Sequence, residues 1–253
     1  MWGVTCARGH DVAVRSLLPP RPVPVLVTVR DRLAPLEQLV AWLEQLDGIR
    51  ILLLDNDSGY PPLLRYLAAS PHRVVRLGRN LGPRAAWLSG IAQSVGLRTP
   101  YVVTDPDVVP DEHCPLDVLD HLARLLERHP DVGRVGVGLR IDDLPVDNPR
   151  TADVVTWESQ FWEREVEPGV YDADVDTTFA LYRPGVAVKG SRALRTGAPY
   201  LARHLAWYDD PAAPTDEERY YRAHADPAIN SWNGEDLPPY LRRLIDERRT
   251  ATT

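Results

Sequence analysis

Short apolar runs recur through the first half of the chain, and each is followed by a polar loop and a segment with helical spacing. The runs are Val25–Val29, Ile49–Leu54, Val74–Leu77 and Tyr101–Thr104. Continuous apolar runs of this length are typical of strands buried on both faces of a parallel sheet. Their alternation with helices predicts a doubly wound, mostly parallel α/β sheet with helices on both faces and right-handed crossovers.

The segments between and after these runs have the spacing of amphipathic helices. The first carries Leu36, Leu39 and Leu43 at positions i, i+3 and i+7, and Gly48 ends it. Further helices are predicted over 61–69, from after Pro83 to 95, and over 115–129, 199–208 and 216–224, with strands over 132–141 and 177–182. Residues 1–20 show no clear period, and we expect an irregular arm or an edge strand there.

The alternation of strands and helices stops near residue 143. Beyond that point, over residues 143–175, Trp, Glu, Asp and Pro become frequent. A chain of 253 residues fits within one α/β domain. We therefore expect a single domain over residues 1–253, divided into two halves that share one core.

Composition and charge exclude several classes of protein. With 44% hydrophobic and 26% charged residues, the chain can bury a sizeable core. No apolar run reaches the roughly 18 residues of a spanning helix, and the net charge of -7 argues against a nucleic-acid or anionic-membrane partner. Cys6 and Cys114 lack the spacing of a disulfide framework or a zinc site. We expect a cytoplasmic protein and leave a homodimer open.

Two carboxylates follow the fourth apolar run. Asp105 and Asp107 stand one residue apart, directly after Tyr101–Thr104. Ligands of open α/β sheets bind outside the carboxyl ends of the strands, where a short turn can aim both carboxylates at one cation. Mg²⁺ and Mn²⁺ prefer such oxygen ligands and keep positions open for phosphates. The alternative is an Asp-Pro turn with solvated acids.

Charged residues also follow the other strands. Asp31 comes after the first run and Asp55 after the second. A carboxylate such as Asp55 can accept the N–H of a nucleobase, or it can begin an Asx turn. Arg84 stands at the start of a predicted helix, where free N–H groups favour an anionic ligand, although it can equally be an exposed helix residue.

Together these residues resemble family-2-like bacterial glycosyltransferases of the GT-A fold. The resemblance covers about residues 22–142 and is carried by Val25–Arg30, Leu52–Ser58, Asn80–Gly82 and Val103–Asp107. It implies a Rossmann-like GT-A domain in which about 22–142 bind a nucleoside-diphosphate sugar and about 143–253 bind a sugar or small-molecule acceptor. It further implies metal-dependent transfer to an acceptor hydroxyl, with inversion, and Mn²⁺ or Mg²⁺ as the cofactor.

The resemblance also implies roles for single residues. At the donor nucleotide it places Arg30 or Asp31 and Asp55 at the base, Arg84 near ribose or phosphate, and Asp105 at the ribose side. It implies Asp107 as a metal ligand together with Asp105, and it offers His204 as a third protein ligand. His204 can instead be an ordinary hydrogen-bonded helix residue.

The catalytic base is harder to assign, because no family-type Glu-Asp pair opens a helix in the second half. The segments Asp176–Arg183 and Arg203–Tyr208 look like parts of bacterial members. Inverting members use a carboxylate to deprotonate the acceptor hydroxyl. We expect Asp176 to be this base, with Glu158 as the second choice and Asp153 as the third, while each can also be a solvated acid.

Two other functions stay open on the sequence. A haloacid-dehalogenase-type phosphatase also has apolar strands that end in Asp-x-Asp, as at Asp55 and Asp105, but it needs a downstream Lys. Lys189 is the one lysine of the chain. A non-catalytic sugar-binding or scaffold protein is the alternative outside the enzymes. A sugar-phosphate nucleotidylyltransferase is disfavoured, because no Gly-rich loop follows the first strand.

Overall fold

A computed structural model describes residues 22–186, 190–225, 237 and 239–251. The arm or edge strand expected over residues 1–20 lies outside the described residues. Within the described part, ten strands join one sheet: β1 Val23–Val29, β2 Ile49–Asp55, β3 Arg73–Arg76, β4 Tyr101–Thr104, β5 Val108–Pro110, β6 Val132–Leu139, β7 Glu165–Glu167, β8 Val170–Asp172, β9 Ala180–Tyr182 and β10 Arg192–His204.

Eight α-helices are found in the same residues. They are α1 Ala34–Leu43, α2 Pro61–Ala69, α3 Ala85–Leu88, α4 Ile91–Val95, α5 Val118–Arg128, α6 Thr151–Glu158, α7 Asp216–His224 and α8 Pro239–Ala251. Short 3-10 turns cover Ser159–Trp162 and Leu205–Trp207. No described helix is both long enough and apolar enough to cross a bilayer.

The sheet is mixed but mostly parallel, with the strand order β3-β2-β1-β4-β9-β6-β10-β8-β7. Strands β1 to β4 run parallel to one another, as the apolar runs predict. Strand β9 lies between β4 and β6 and is antiparallel to both, and β10 runs parallel to β6. This arrangement is a Rossmann-like GT-A fold, and the predicted fold class is confirmed.

Helices cover both faces of the sheet, because side chains alternate along the central strands. Val25, Val27 and Val29 of β1 face a core that contains the buried residues of α1, α2 and α5. Leu26 points to the other face, where a smaller core includes Ala86 of α3 and Ala92 of α4. Each fully buried aliphatic side chain of this kind stabilises the fold by roughly 1.5–3 kcal/mol.

Two predicted helices are wrong in detail. The helix predicted up to residue 95 is split into α3 and α4 at Gly90, whose φ of +78° favours glycine and breaks the helical path. The helix predicted over 199–208 is instead the end of strand β10 followed by a 3-10 turn. Arg203 and His204 pair there with Val109 and Val108 of β5, and this long-range pairing decides the local structure.

Candidate functional site

A cleft of about 1330 Å³ opens where the central strands end. Thr28 of β1, Asn56 after β2 and Asp105 after β4 line it, and the second half of the chain adds Asp176 and His204. The carboxyl ends of parallel strands are the expected ligand site of this fold. The volume exceeds the roughly 300–1,000 Å³ of an ordinary small-molecule pocket, so the cleft has room for two ligands.

The two carboxylates of the Asp-x-Asp motif meet at one corner of this cleft. Asp107 is buried, and Asp105 accepts a hydrogen bond from the hydroxyl of Thr177. Burial first, and then the nearby charge of Asp107, raise the pKa of Asp105 well above its usual range, while the Thr177 hydrogen bond opposes this rise. Two crowded carboxylates of this kind create a strong local demand for a cation.

His204 joins the same corner through the pairing of β5 with β10. Val108 stands opposite His204 in that pairing, and the Leu205 N–H donates a 2.8 Å hydrogen bond to the Asp107 carbonyl oxygen. As a result, His204 Nε2 lies 3.9 Å from Asp107 Oδ2. Burial lowers the pKa of His204, although Asp107 opposes this, and the neutral ring keeps a lone pair for a metal ion.

Two of these residues, Asp107 and His204, are close enough to share a divalent cation, whereas Asp105 does not complete a three-ligand group with them at the present side-chain positions. A separation of 3.9 Å is within the reach of two ligand bonds of about 2.1 Å each to one ion. The Nδ1 atom of His204 is buried and has no hydrogen-bond partner among the described residues. Carboxylate oxygens favour hard cations such as Mn²⁺ and Mg²⁺. Asp105, Asp107 and His204 all line the cleft, and Asp107 and His204 are in direct proximity; that they bind a metal ion stays a prediction.

The residues predicted to contact the nucleobase divide into those that line the cleft and those that do not. Arg30 lines the cleft, and its Nη1 donates 2.9 Å hydrogen bonds to the carbonyl oxygens of Asn56 and Asp57. The carboxylates of Asp31 and Asp55 do not line it. Asp31 accepts hydrogen bonds from two amides at the start of α2, at 2.7 and 2.9 Å. Asp31 therefore fixes the loop beside the cleft.

Asp55 has a similar supporting position. Its Oδ1 accepts a 2.9 Å hydrogen bond from the Ser58 N–H, and its Oδ2 forms a 3.0 Å ion pair with Arg76. The neighbouring residue Asn56 lines the cleft instead. Arg84 also lines the cleft and is exposed. Because α3 has only four residues, it offers little of the helix N-terminus expected at Arg84.

Asn56 is a site residue that the sequence analysis did not single out. Its amide nitrogen donates to Asn80 Oδ1 at 3.0 Å and to the Gly82 carbonyl at 3.1 Å, and its Oδ1 accepts from the Leu81 N–H at 2.8 Å. These bonds join the loops that follow β2 and β3. The sequence marks Asn80–Gly82 as part of the resemblance, but the contact of this segment with Asn56 depends on the fold, because the two loops follow different strands.

The candidate bases have three different environments. Asp176 is exposed, lines the cleft, and has no side-chain hydrogen bond or ion pair within the described residues. Glu158 also lines the cleft but is buried and paired with Arg195. Burial raises the pKa of Glu158 to about 7, although Arg195 opposes this rise. Asp153 lies away from the cleft and pairs with Arg242 and Arg249 of α8.

Unpartnered buried polar atoms are concentrated in the cleft. Among the described residues, Thr28 Oγ1, Thr178 Oγ1, His204 Nδ1, and both Nε and Nη2 of Arg32 are buried without a hydrogen-bond partner. All four residues line the cleft. Native proteins satisfy nearly all buried polar groups, so a cluster of exceptions is typical of a place that a ligand completes.

A group of three potential metal ligands lies outside the cleft. Asp111, Glu112 and His113 could hold an ion by distance, and it is the one such group among the described residues. Asp111 is already paired with Arg140, and Glu112 is paired with Arg203. Glu112 and His113 are exposed. This group is an ion-pair network at the surface.

Fold and cleft together define an α/β protein of the Rossmann-like GT-A type with a cleft at its strand ends that several carboxylates line. No family model and no curated protein sequence gives a significant match to the chain. Among solved structures, it is similar to the mannosyltransferase PcManGT from Pyrobaculum calidifontis in complex with GDP-Man and Mn²⁺. That similarity has 14% identity and a TM-score of 0.46, and covers 93% of this chain and 72% of that one.

Two further solved structures are similar at lower scores. S. aureus TarS is 14% identical with a TM-score of 0.36, over 50% of this chain and 24% of that one. The UTP-bound UGPase from Acinetobacter baumannii is 12% identical with a TM-score of 0.40, over 89% of this chain and 99% of that one. Functional inference therefore depends on the residues of this chain.

Proposed function

We propose that the protein is a metal-dependent glycosyltransferase that moves a sugar from a nucleoside diphosphate to an acceptor hydroxyl, with inversion. The observation that carries this proposal is the proximity of Asp107 and His204, with Asp105 lining the same cleft at the strand ends. The cleft has room for a donor and an acceptor, and unpartnered buried polar atoms line it.

At the donor end, we assign contact with the nucleoside to Arg30, Asn56 and Arg84, because these residues line the cleft. Asp31 and Asp55 act one step behind them. Their carboxylates hold the amides of the loop after β2 and so fix the position of Asn56 and the carbonyl groups that Arg30 binds. Asp55 then contributes to nucleobase recognition indirectly, by holding the loop that carries Asn56 in position.

Asp105, Asp107 and His204 would hold Mn²⁺ or Mg²⁺ at their corner of the cleft, with Asp105 moving closer to the other two when the ion binds. The ion, when bound, stabilises the negative charge that develops on the leaving diphosphate. Asp107 and His204 are oriented for this task by the β5–β10 pairing, and Thr177 orients Asp105. Such preorganised groups lose little free energy to rearrangement during the reaction.

We assign the catalytic base to Asp176. Its carboxylate faces the cleft and is not engaged by another described side chain, so it can accept the proton of an acceptor hydroxyl. The Tyr182 hydroxyl donates a 3.4 Å hydrogen bond to the Asp176 carbonyl and steadies this loop. Glu158 stays the second candidate, and its ion pair with Arg195 makes it less free to accept a proton.

The phosphatase alternative is disfavoured by the position of Asp55. A nucleophilic aspartate must reach its substrate, whereas both carboxylate oxygens of Asp55 are bonded to Ser58 and Arg76 and the residue does not line the cleft. The required lysine, Lys189, lies outside the described residues. A non-catalytic sugar-binding role is separated from the enzyme by the experiment below.

The test is a screen of UDP-, GDP- and dTDP-sugars by thermal unfolding, with Mn²⁺ and with a chelator. A ligand present at 100 times its Kd should add about 2.7 kcal/mol to the free energy of unfolding. Release of the nucleoside diphosphate by the best donor is then followed without acceptor. Metal-dependent release supports the transferase, stabilisation without any release favours a binding protein, and stabilisation by no donor contradicts the proposal.

A further inference from the structure

Arg32 is a buried cation at the wall of the cleft. It lies in the loop between β1 and α1, is only 4% exposed and lines the cleft. Its Nη1 is 2.7 Å from Glu218 Oε2 and 3.8 Å from Asp209 Oδ2, and its guanidinium lies 4.1 Å from the centre of the Tyr221 ring. Glu218 and Asp209 therefore partly balance the positive charge of Arg32 through Nη1, while its Nε and Nη2 atoms take no part in these ion pairs.

The Nε and Nη2 atoms of Arg32 have no hydrogen-bond partner among the described residues, although both are buried. An arginine side chain stays protonated in proteins and has only donors, so these N–H groups require an oxygen acceptor. Burying a charged donor without an acceptor is costly. One edge of the guanidinium, which presents two N–H groups side by side, suits the oxygens of a phosphate or carboxylate.

The other arginines of the cleft wall are already engaged or exposed. Arg30 donates to the carbonyl groups of Asn56 and Asp57, and Arg84 is exposed. Arg134 is bonded to Asp174 and Arg195 to Glu158. Arg32 is thus the buried guanidinium of the described cleft wall that still has N–H groups to offer a ligand.

Helix α7 holds Arg32 in a fixed position. Glu218 of this helix binds Arg32 and also accepts a 2.7 Å hydrogen bond from Arg222. The neighbouring Glu217 accepts hydrogen bonds from the Leu33 and Ala34 N–H groups at 2.8 and 3.1 Å, directly after Arg32. The guanidinium is therefore anchored on both sides, which lowers the entropy lost when it binds an anion.

We propose that Nε and Nη2 of Arg32 bind oxygens of the donor's sugar-linked phosphate, beside the corner formed by Asp107 and His204. This inference rests on the proposed function and gives the cleft a contact to the diphosphate that needs no metal ion. Arg32 donates hydrogen bonds and transfers no proton. Among the described residues, five carboxylates line the cleft, and only those of Glu158 and Asp174 are paired with a cleft arginine, so a bound diphosphate gains from a further cation in addition to the metal.

The test compares a nucleoside diphosphate with its monophosphate, because the two ligands differ only in the phosphate assigned to Arg32. Affinities for UDP and UMP, or for the base selected by the donor screen, are measured by calorimetry with a chelator and with Mn²⁺. We expect the wild-type protein to prefer the diphosphate in both conditions. In Arg32→Lys, which keeps the charge but removes the paired N–H groups, this preference should fall tenfold or more while the monophosphate affinity stays unchanged.

Two further variants separate binding from structural support. Arg203→Lys is the matched control, because Arg203 is also ion-paired but lies outside the cleft wall, and it should keep the wild-type preference. Glu218→Gln removes the partner of Arg32 and keeps the guanidinium, so it should also retain most of the preference. Equal losses in Glu218→Gln and Arg32→Lys, or parallel losses for monophosphate and diphosphate, would overturn the proposal.

Inorganic pyrophosphate is the third probe, because it binds without any nucleoside. If no nucleotide binds, the proposed function fails, but stabilisation by pyrophosphate that is lost in Arg32→Lys still supports an anion site at Arg32. If nucleotides bind and the diphosphate preference is unchanged in Arg32→Lys, the proposed function stands and this inference is wrong. Absence of binding by nucleotides and by pyrophosphate overturns both.

Discussion

The imidazole Nε2 of His204 lies 3.9 Å from Oδ2 of Asp107, although the two residues come from opposite halves of the chain. Strand β5 starts directly after Asp107, and β10 ends at His204, so the antiparallel pairing of these strands places the side chains together. The Leu205 N–H then closes the arrangement on the Asp107 carbonyl. The proximity of Asp107 and His204 is thus a product of the sheet itself.

The first prediction concerns metal binding at this corner. We expect Asp107→Asn and His204→Ala each to weaken Mn²⁺ binding by about 100-fold or more, because each removes one of the three proposed protein ligands. The Mn²⁺ affinity can be measured by titration calorimetry or from the loss of the electron paramagnetic resonance signal of free Mn²⁺. His113→Ala, in the exposed cluster outside the cleft, is the control and should bind Mn²⁺ like the wild type; loss of binding in this control instead would move the metal site there.

The second prediction concerns Asp176 as the proposed catalytic base. Asp176→Asn keeps the size of the side chain and removes its ability to accept a proton, so kcat should fall by about 10²-fold or more. The affinity for the nucleotide should stay within about twofold, because the interaction is made in the transition state. A loss of kcat below about threefold would shift the assignment to Glu158.

Strands β1 to β4 and the Asp-x-Asp corner could be predicted from the sequence, because apolar runs and strand-end carboxylates are local patterns. Only the resemblance to GT-A glycosyltransferases points to His204 as a metal ligand, because the local sequence around it predicts a helix. It is a strand because β5 pairs with it, and β5 itself has only three residues. Contacts between distant segments are not visible in a local pattern.

The roles of Asp55 and Arg32 show the same limit. Strand-end position predicts that Asp55 contacts the ligand, but its carboxylate is paired with Arg76 on the neighbouring strand and does not line the cleft. Arg32 has no distinctive local pattern, and its importance depends on burial beneath α7. A buried arginine without acceptors can be identified only after the fold is known.

The third prediction tests Asp55 as a support of the base-binding loop. Asp55→Ala should lower the free energy of unfolding by about 1–3 kcal/mol, because the half-buried Ser58 N–H loses its acceptor. It should also weaken nucleoside diphosphate binding tenfold or more with metal absent, since the loop that carries Asn56 is released. Thermal unfolding and calorimetry on the same variant report the two effects.

Arg76→Ala is the control for this loop. It removes the ion pair with Asp55 but leaves the Ser58 hydrogen bond, and the Arg76 side chain is 55% exposed. Exposed ion pairs contribute about 0–1 kcal/mol. We therefore expect a small stability change and nearly unchanged nucleotide affinity; unchanged affinity in Asp55→Ala as well would show that Asp55 has no part in recognition.

The fourth prediction is a pH dependence at Glu158. Its carboxyl group ionises near pH 4.5 in the unfolded chain, whereas burial raises its pKa in the folded protein to about 7. Between these pH values the folded protein holds a proton that the unfolded chain has released, so the free energy of unfolding falls as the pH rises. The stabilisation that the folded protein gains from the proton on Glu158 is fully present below about pH 4.5 and is lost as the pH rises past about 7. It contributes about 3 kcal/mol to the free energy of unfolding.

Glu158→Gln isolates this effect, because glutamine has the same shape and does not titrate. The variant should be about as stable as the wild type at pH 5 and should gain relative to it by pH 8, as followed by chemical denaturation across the range. Glu163→Gln, at an exposed ion pair with Arg248, is the control and should show a flat difference. If the wild type instead gains on Glu158→Gln as the pH rises, the attraction of Arg195 outweighs the cost of burying the carboxylate.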